Sequence, residues 1–159
     1  MNYEIVEFSD QHEDGLKRCF SYLQDTEAAL EPDRLRSSPE LADSYISYLK
    51  SQCQSHDGKI FIALSDSSVA GFVAVWRGGD AENLITSLHS FAYVSDIAVL
   101  PEYQKRGIAK RLMGAADLFA KSLGVTHCKV GVLARNTAAA KLYESSGFRP
   151  HEMTLTKLL

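Results

Sequence analysis

Cysteine, proline and tryptophan are all scarce in this sequence of 159 residues, with 3, 4 and 1 copies. Cys19, Cys53 and Cys128 are odd in number, far apart and without a Cys-x-x-Cys pair. That argues against a disulfide framework and against a structural zinc site, and the three read as buried thiols. The 5 histidines, at positions 12, 56, 89, 127 and 151, also lack ligand spacing, so no metal is expected. No apolar run approaches bilayer length, and Met1-Asn2-Tyr3-Glu4-Ile5 has neither the basic start nor the apolar core of a secretory signal. The expectation is a cytoplasmic protein with no membrane partner. An excess of positive charge is missing too: 17 Lys and Arg against 20 Asp and Glu give a net charge of -3, with the basic residues dispersed, which argues against a nucleic-acid partner.

What is present suits a folded α/β protein. Hydrophobic residues make up 45% and charged residues 23%, a globular balance. A second core would leave each half too small to bury much surface, so residues 1–159 are expected to form one domain. Tyr3 to Phe8 alternates as a strand, and Ser9-Asp10 offers capping oxygens for a helix to about Leu30. Ser37-Ser38-Pro39-Glu40 restarts a helix to about Ser55, after a break at Glu31-Pro32-Asp33. Lys59 to Leu64 and Val69 to Trp76 read as a hairpin. Gly78-Gly79-Asp80 opens a polar loop to about Ser90. From Phe91 to Leu100 the chain is apolar enough for a strand covered on both faces, and Pro101 stops it. A helix is predicted from Gly107 to Leu123, then a strand from Val125 to Leu133, a short helix capped by Asn136, and a last strand within Phe148 to Leu158. The order β-α-α-β-β-β-α-β-α-β describes a mixed α/β sheet.

The stretch from Val99 to Ala109 joins the buried strand to the amphipathic helix and contains Gln104-x-x-Gly107-x-Ala109. Small residues there let the backbone approach a ligand, and the free N–H groups of a first helical turn make an anion site suited to a pyrophosphate. Lys105 and Arg106 add donors, and Arg106 or Lys110 can reach a further phosphate. Taken alone, the segment is equally well a capped βα turn whose glycine relieves crowding. It is neither a G-x-G-x-x-G fingerprint nor a Walker loop. A second block runs from Asn136 to Phe148, Asn-x-x-Ala-x-x-x-Tyr followed by Gly147-Phe148. Asn136 and Tyr143 lie almost two helical turns apart and share a face, with Ala139 and Ala140 leaving room beside them.

With these two blocks in this order, the sequence closely resembles the GNAT superfamily of N-acetyltransferases, well over residues 90–150 and elsewhere in element order only. The resemblance implies the GNAT fold: a mixed, mostly antiparallel central sheet with splayed strands, flanked by about four helices. It implies acetyl-CoA as acetyl donor, its pantetheine lying in the gap between the strand Tyr93 to Leu100 and the strand His127 to Leu133. Backbone groups of Ile97, Ala98 and Val99 would pair with the pantetheine, and amides of Gln104, Lys105, Arg106, Gly107, Ile108 and Ala109 would bind the pyrophosphate. Ala109 stands where many relatives carry glycine, a variant the family accepts. A homodimer is a fair expectation on the same ground.

Amide formation from a thioester needs a neutral amine, a polarised carbonyl and a proton for the departing sulfur. Tyr143 is the candidate acid, with a core tyrosine as its bland alternative. The N–H of Val99 is the candidate oxyanion donor. Asp96 is the one carboxylate inside the apolar strand and so the candidate base, equally well a structural residue gripping a neighbouring turn. Asp25, Glu27, Glu31, Asp33, Asp80 and Glu82 can form an acidic mouth for a polyamine, an aminoglycoside or a peptide amine, and Tyr22, Tyr45, Tyr48 and Trp76 can line a pocket. The expected activity is acetyl transfer to a primary amine of a small molecule by direct attack, without a covalent intermediate on Cys128. The alternatives are a peptide or protein N-acetyltransferase that uses the loop Arg77 to Ser90 as a docking edge, and a non-catalytic acyl-CoA-binding sensor.

Overall fold

Alternation at the N-terminus gives β1 (Tyr3–Glu7), and a single 3-10 turn at Asp10–His12 leads into α1 (Glu13–Leu30). The structure is a computed structural model that describes residues 3–79 and 89–159. In α2 (Pro39–Ser55) the Ser38 hydroxyl caps the helix by accepting from the Leu41 N–H at 3.1 Å, and Pro39 takes the first helical position, where no N–H is needed. The hairpin consists of β2 (Lys59–Ser65) and β3 (Ser68–Gly79) and is followed by β4 (Ser90–Val99). After a 3-10 turn at Pro101–Tyr103 come α3 (Ile108–Ser122), β5 (Cys128–Val130) and α4 (Thr137–Ser145).

The five strands form one sheet in the order β1-β2-β3-β4-β5, antiparallel except for the last pair, β4 with β5. One face is covered by α1 and α2, where Leu16, Phe20, Ile46 and Leu49 meet Ile62, Phe72 and Ala98. On the other face Ile108, Leu112, Met113 and Ala116 of α3 meet Val73, Val75 and Val94. Being covered twice, β3 is buried from Val69 to Trp76 and reads as an apolar run without alternation. Gly71 is required by the closeness of β4: a Cβ there would lie 2.5 Å from the Ala98 carbonyl oxygen.

Three expectations are corrected. The strand predicted over Val125 to Leu133 shrinks to Cys128–Val130, because beyond Val130 it parts from β4 and loses the ladder that would keep it extended. Phe148 to Leu158 forms no strand: Phe148 turns back onto Tyr143, its ring centroid 5.9 Å away, and residues 149–159 carry no regular structure. The expected loop Gly78 to Ser90 begins later, since Gly78 and Gly79 still pair in β3. Asp80 and Glu82 lie outside the described residues.

Candidate active site

The site grows from an irregularity in β4. Val94 pairs with Val75 and Asp96 with Ala74, which leaves Ser95 as an extra residue, a β-bulge. The bulge resets which side chains face which layer. Before it, Ala92 and Val94 point to the α3 face and Tyr93 to the α1/α2 face; after it, Ile97 and Val99 point to the α3 face and Ala98 to the α1/α2 face. Tyr93 and Asp96 thereby come to share the α1/α2 side, which strict alternation would forbid.

The bulge also organises the backbone edge. Ala92 donates to the carbonyl of His127, just before β5, at 2.9 Å, but the β4–β5 ladder ends at Val94 with Val130. Further along, Leu100 donates to the Ala70 carbonyl at 2.9 Å. Antiparallel alternation then turns the peptide groups of Ala98 toward Phe72 of β3, and the N–H groups of Ile97 and Val99 away from it, into the gap left by β5. The expected backbone pairing therefore narrows to Ile97 and Val99, since Ala98 is committed to the sheet. The Val99 carbonyl on that edge accepts from the Gln104 side-chain amide at 2.9 Å, and the same amide donates to the Tyr22 hydroxyl of α1 at 2.8 Å.

Beyond β4, Lys105 at φ 59 and Gly107 at φ 78 coil the chain through two left-handed positions into α3. Among the described residues no side chain caps α3, so its first N–H groups are left to solvent or to an anion. A Cβ on Gly107 would meet nothing within 4 Å, so only the backbone conformation demands glycine there. One amide of the expected set is spent, because the Gln104 N–H donates to the Pro101 carbonyl at 3.2 Å. Lys105 and Lys110 are exposed, Ile108 is buried and Ala109 half-buried. The Arg106 guanidinium donates to the Tyr3 hydroxyl at 3.1 Å. The Asn136 side chain caps α4 by accepting from the Ala139 N–H at 3.0 Å.

Tyr143 of α4 is buried among the α3-side residues. Its hydroxyl has no hydrogen-bond partner among the described residues, yet no fully buried side-chain polar atom there goes unpaired. The phenol hydroxyl is therefore not fully enclosed. Burial, helped by the nearby charges of Asp96 and Glu27, pushes its pKa up to about 12, so it keeps its proton through the neutral range. The Cys128 thiol is also pushed up, to about 11, chiefly by burial, which makes it a poor nucleophile at neutral pH.

Asp96 faces the opposite side. Its two carboxylate oxygens each accept from the Tyr45 hydroxyl of α2 at 2.8 Å, and the Ser95 hydroxyl donates to one of them. Desolvation raises its pKa, while the two hydroxyls pull it back. Phe20, Tyr45, Tyr48, Trp76 and Tyr93 form a continuous chain of rings, with successive centroids 4.2, 5.6, 6.4 and 5.8 Å apart. Of the expected acidic mouth, Asp25 is taken up by the N–H and hydroxyl of Ser37. Asp33 is exposed, and Glu27 pairs with Arg34 at 2.8 Å. Sequence reasoning missed the roles of Tyr45, Ser95 and Arg34. The adjacent polar pair Ser95-Asp96 inside an apolar strand was the available sign of a bulge.

A parallel pair that ends early and a glycine-opened helix start are features the sequence resemblance implied. The Acetyltransferase (GNAT) family model matches residues 18–148. The chain belongs to this family. Among GNAT relatives, the uncharacterized N-acetyltransferase YycN of Bacillus subtilis is 34% identical over 68 residues, 43% of this chain and 44% of that protein. In each of the curated relatives the matched stretch spans less than two thirds of the relative's length. The BH1408 protein of Bacillus halodurans, solved as a tetramutant, superposes with a TM-score of 0.82 at 17% identity, over 98% of this chain and 99% of that one. Aminoglycoside N-acetyltransferase AAC(6')-Iy in complex with CoA superposes with a TM-score of 0.73 at 20% identity, over 99% of this chain and 95% of that one. At these identities the superpositions establish the GNAT fold.

Proposed function

We propose that this GNAT protein transfers an acetyl group from acetyl-CoA to a primary amine of a small molecule, by direct attack. The observation that carries the reading is the open edge of β4 where β5 has left it, with the N–H of Val99 turned away from β3 and, among the described residues, no partner for the hydroxyl of Tyr143, which packs on the α3 side of the same sheet. Acetyl-CoA fits the residues there. The edge groups of Ile97 and Val99 suit the amide-bearing arm, and the amides of Lys105 through Ala109 suit the pyrophosphate. Lys105 and Lys110, both exposed, suit a further phosphate, and Asn136 and Ala139 border the arm from α4. A thioester carbonyl supplied at this edge is an activated acyl group.

The protein's part in the chemistry is charge and proton placement. The Val99 N–H stabilises negative charge on the carbonyl oxygen as the amine nitrogen bonds to the carbonyl carbon. Asp96, directly or through one water, accepts the proton the amine loses. Tyr143 gives its proton to the sulfur as the C–S bond breaks. Asp96 bonds to α2 on one face of the sheet and Tyr143 packs on the α3 side, so acceptor and donor are kept apart. The high pKa of Cys128 supports direct attack over a covalent relay. The fold-level likeness to an aminoglycoside N-acetyltransferase supports a small-molecule amine as acceptor.

The test is thiol release from acetyl-CoA against polyamines, aminoglycosides, amino acids and short peptides, with mass spectrometry of the acceptor. The reading expects one small-amine class to gain an acetyl group. No acetylation of any amine, with acetyl-CoA still raising the melting temperature, would replace it with a binding module.

A further inference from the structure

The acceptor side of the site contains an ion pair that the proposed transfer does not use. Phe20, Leu23 and Glu27 follow one another on a single stripe of α1. Phe20 is buried against the Tyr45 ring, Leu23 is partly buried, and the next place on the stripe is filled by a carboxylate. The Glu27 side chain is only 22% exposed, and burial raises its pKa. Its compensation comes from Arg34, on the connection between α1 and α2, whose Nη1 lies 2.8 Å from Glu27 Oε2. The Arg34 side chain is 42% exposed, and this is its one hydrogen-bonded or ion-pair contact among the described residues. A half-buried carboxylate is thus matched by a cation tethered at a single point on an exposed connection. Asp96 and Tyr143 both lie within electrostatic reach of Glu27.

We propose that Glu27 is a specificity-determining carboxylate for a second positive charge on the acceptor, and that Arg34 holds its place until the acceptor displaces it. The inference rests on the transfer reading and narrows its substrate class to amines bearing two cationic groups a few methylenes apart. One amine, deprotonated, is acetylated beside Asp96, and the other, as ammonium, exchanges with the Arg34 guanidinium on Glu27. Tyr45, whose hydroxyl bonds to Asp96, and the half-buried Tyr93 suit the methylene spacer. Exchange of one cation for another keeps the half-buried carboxylate compensated throughout, so binding does not strand a charge.

The probes are 1,4-diaminobutane and 1-aminobutane, which differ by one amine, assayed by thiol release with wild type, Glu27→Gln and Arg34→Gln. Wild type is expected to favour the diamine in kcat/KM by roughly tenfold or more, the worth of one well-placed charge pair. Glu27→Gln should lower kcat/KM for the diamine about tenfold more than for the monoamine, and Arg34→Gln should lower the diamine KM severalfold by removing the competitor. Equal use of the two amines by wild type, or the same preference in Glu27→Gln, overturns this inference and leaves the transfer reading standing. An unchanged diamine KM in Arg34→Gln overturns the displacement step. Acetylation of neither amine, nor of any other amine on the wider panel, removes the transfer reading, and the inference goes with it.

Discussion

The Tyr45 hydroxyl sits 2.8 Å from each carboxylate oxygen of Asp96, so one donor from α2 spans both oxygens of a carboxylate in β4. The bond favours the charged form of Asp96 against the desolvation that raises its pKa. Tyr45→Phe keeps the ring stacked on Phe20, 4.2 Å away, and removes the donor. The Asp96 pKa should then rise further, and the acid limb of the pH profile of kcat/KM should move to higher pH. A limb that stays in place means that the ionisation of Asp96 does not govern the rate.

Asp96 also sets a pH dependence of stability. Its folded pKa is raised above its unfolded value, so its favourable contribution is complete when the pH is below the unfolded value, about 4. That contribution is lost as the pH climbs through the folded pKa. Asp96→Asn cannot ionise, so it should melt above wild type at neutral pH, with the gap closing as the pH falls toward about 4, while acetyl transfer is reduced. Thermal melts across that range decide it, and a constant gap would show that desolvation of the carboxylate costs nothing.

Gly107 separates backbone demand from packing. With φ at 78 and empty space where a Cβ would go, Gly107→Ala should cost about 1–2 kcal/mol through strain alone. Gly107→Asn should cost less, because asparagine tolerates the left-handed region. Both should weaken acetyl-CoA binding if the turn holds the pyrophosphate. Calorimetric titration with CoA beside the melts checks this, and intact affinity in a destabilised Gly107→Ala would remove the turn from the binding site.

Much of the fold was legible because its signals are local. The Ser38 cap and Pro39 start α2, Gly107 opens α3, and Asn136 caps α4, each within a turn of the element it sets. What escaped depends on distant partners. The sequence around Val125 to Leu133 reads as a full strand, but a strand persists only where a neighbour pairs with it, and β4 does so for three residues. The segment from Phe148 to Leu158 reads as able to supply a last strand, yet among the described residues no strand pairs with it. The geometry of the candidate site was legible to the same degree. Asp96 and Tyr143 stood out by residue type and spacing, whereas Tyr45 lies 51 residues from Asp96 and becomes its partner only after α2 packs on the sheet. Which N–H groups of β4 turn away from β3, those of Ile97 and Val99, follows from the bulge at Ser95, which residue patterns hint at but do not place in register.

The central claim is that Tyr143 delivers the proton to the leaving sulfur at the open end of β4. The most direct test is kcat of Tyr143→Phe against wild type, from thiol release at saturating acetyl-CoA with an acceptor that turns over. The account predicts a fall of about 10²-fold, in the range for a positioned general acid, with the KM for acetyl-CoA little changed. Because the hydroxyl has no partner among the described residues, its loss should leave the fold intact. A kcat equal to wild type would contradict the assignment and return Tyr143 to the role of a core residue.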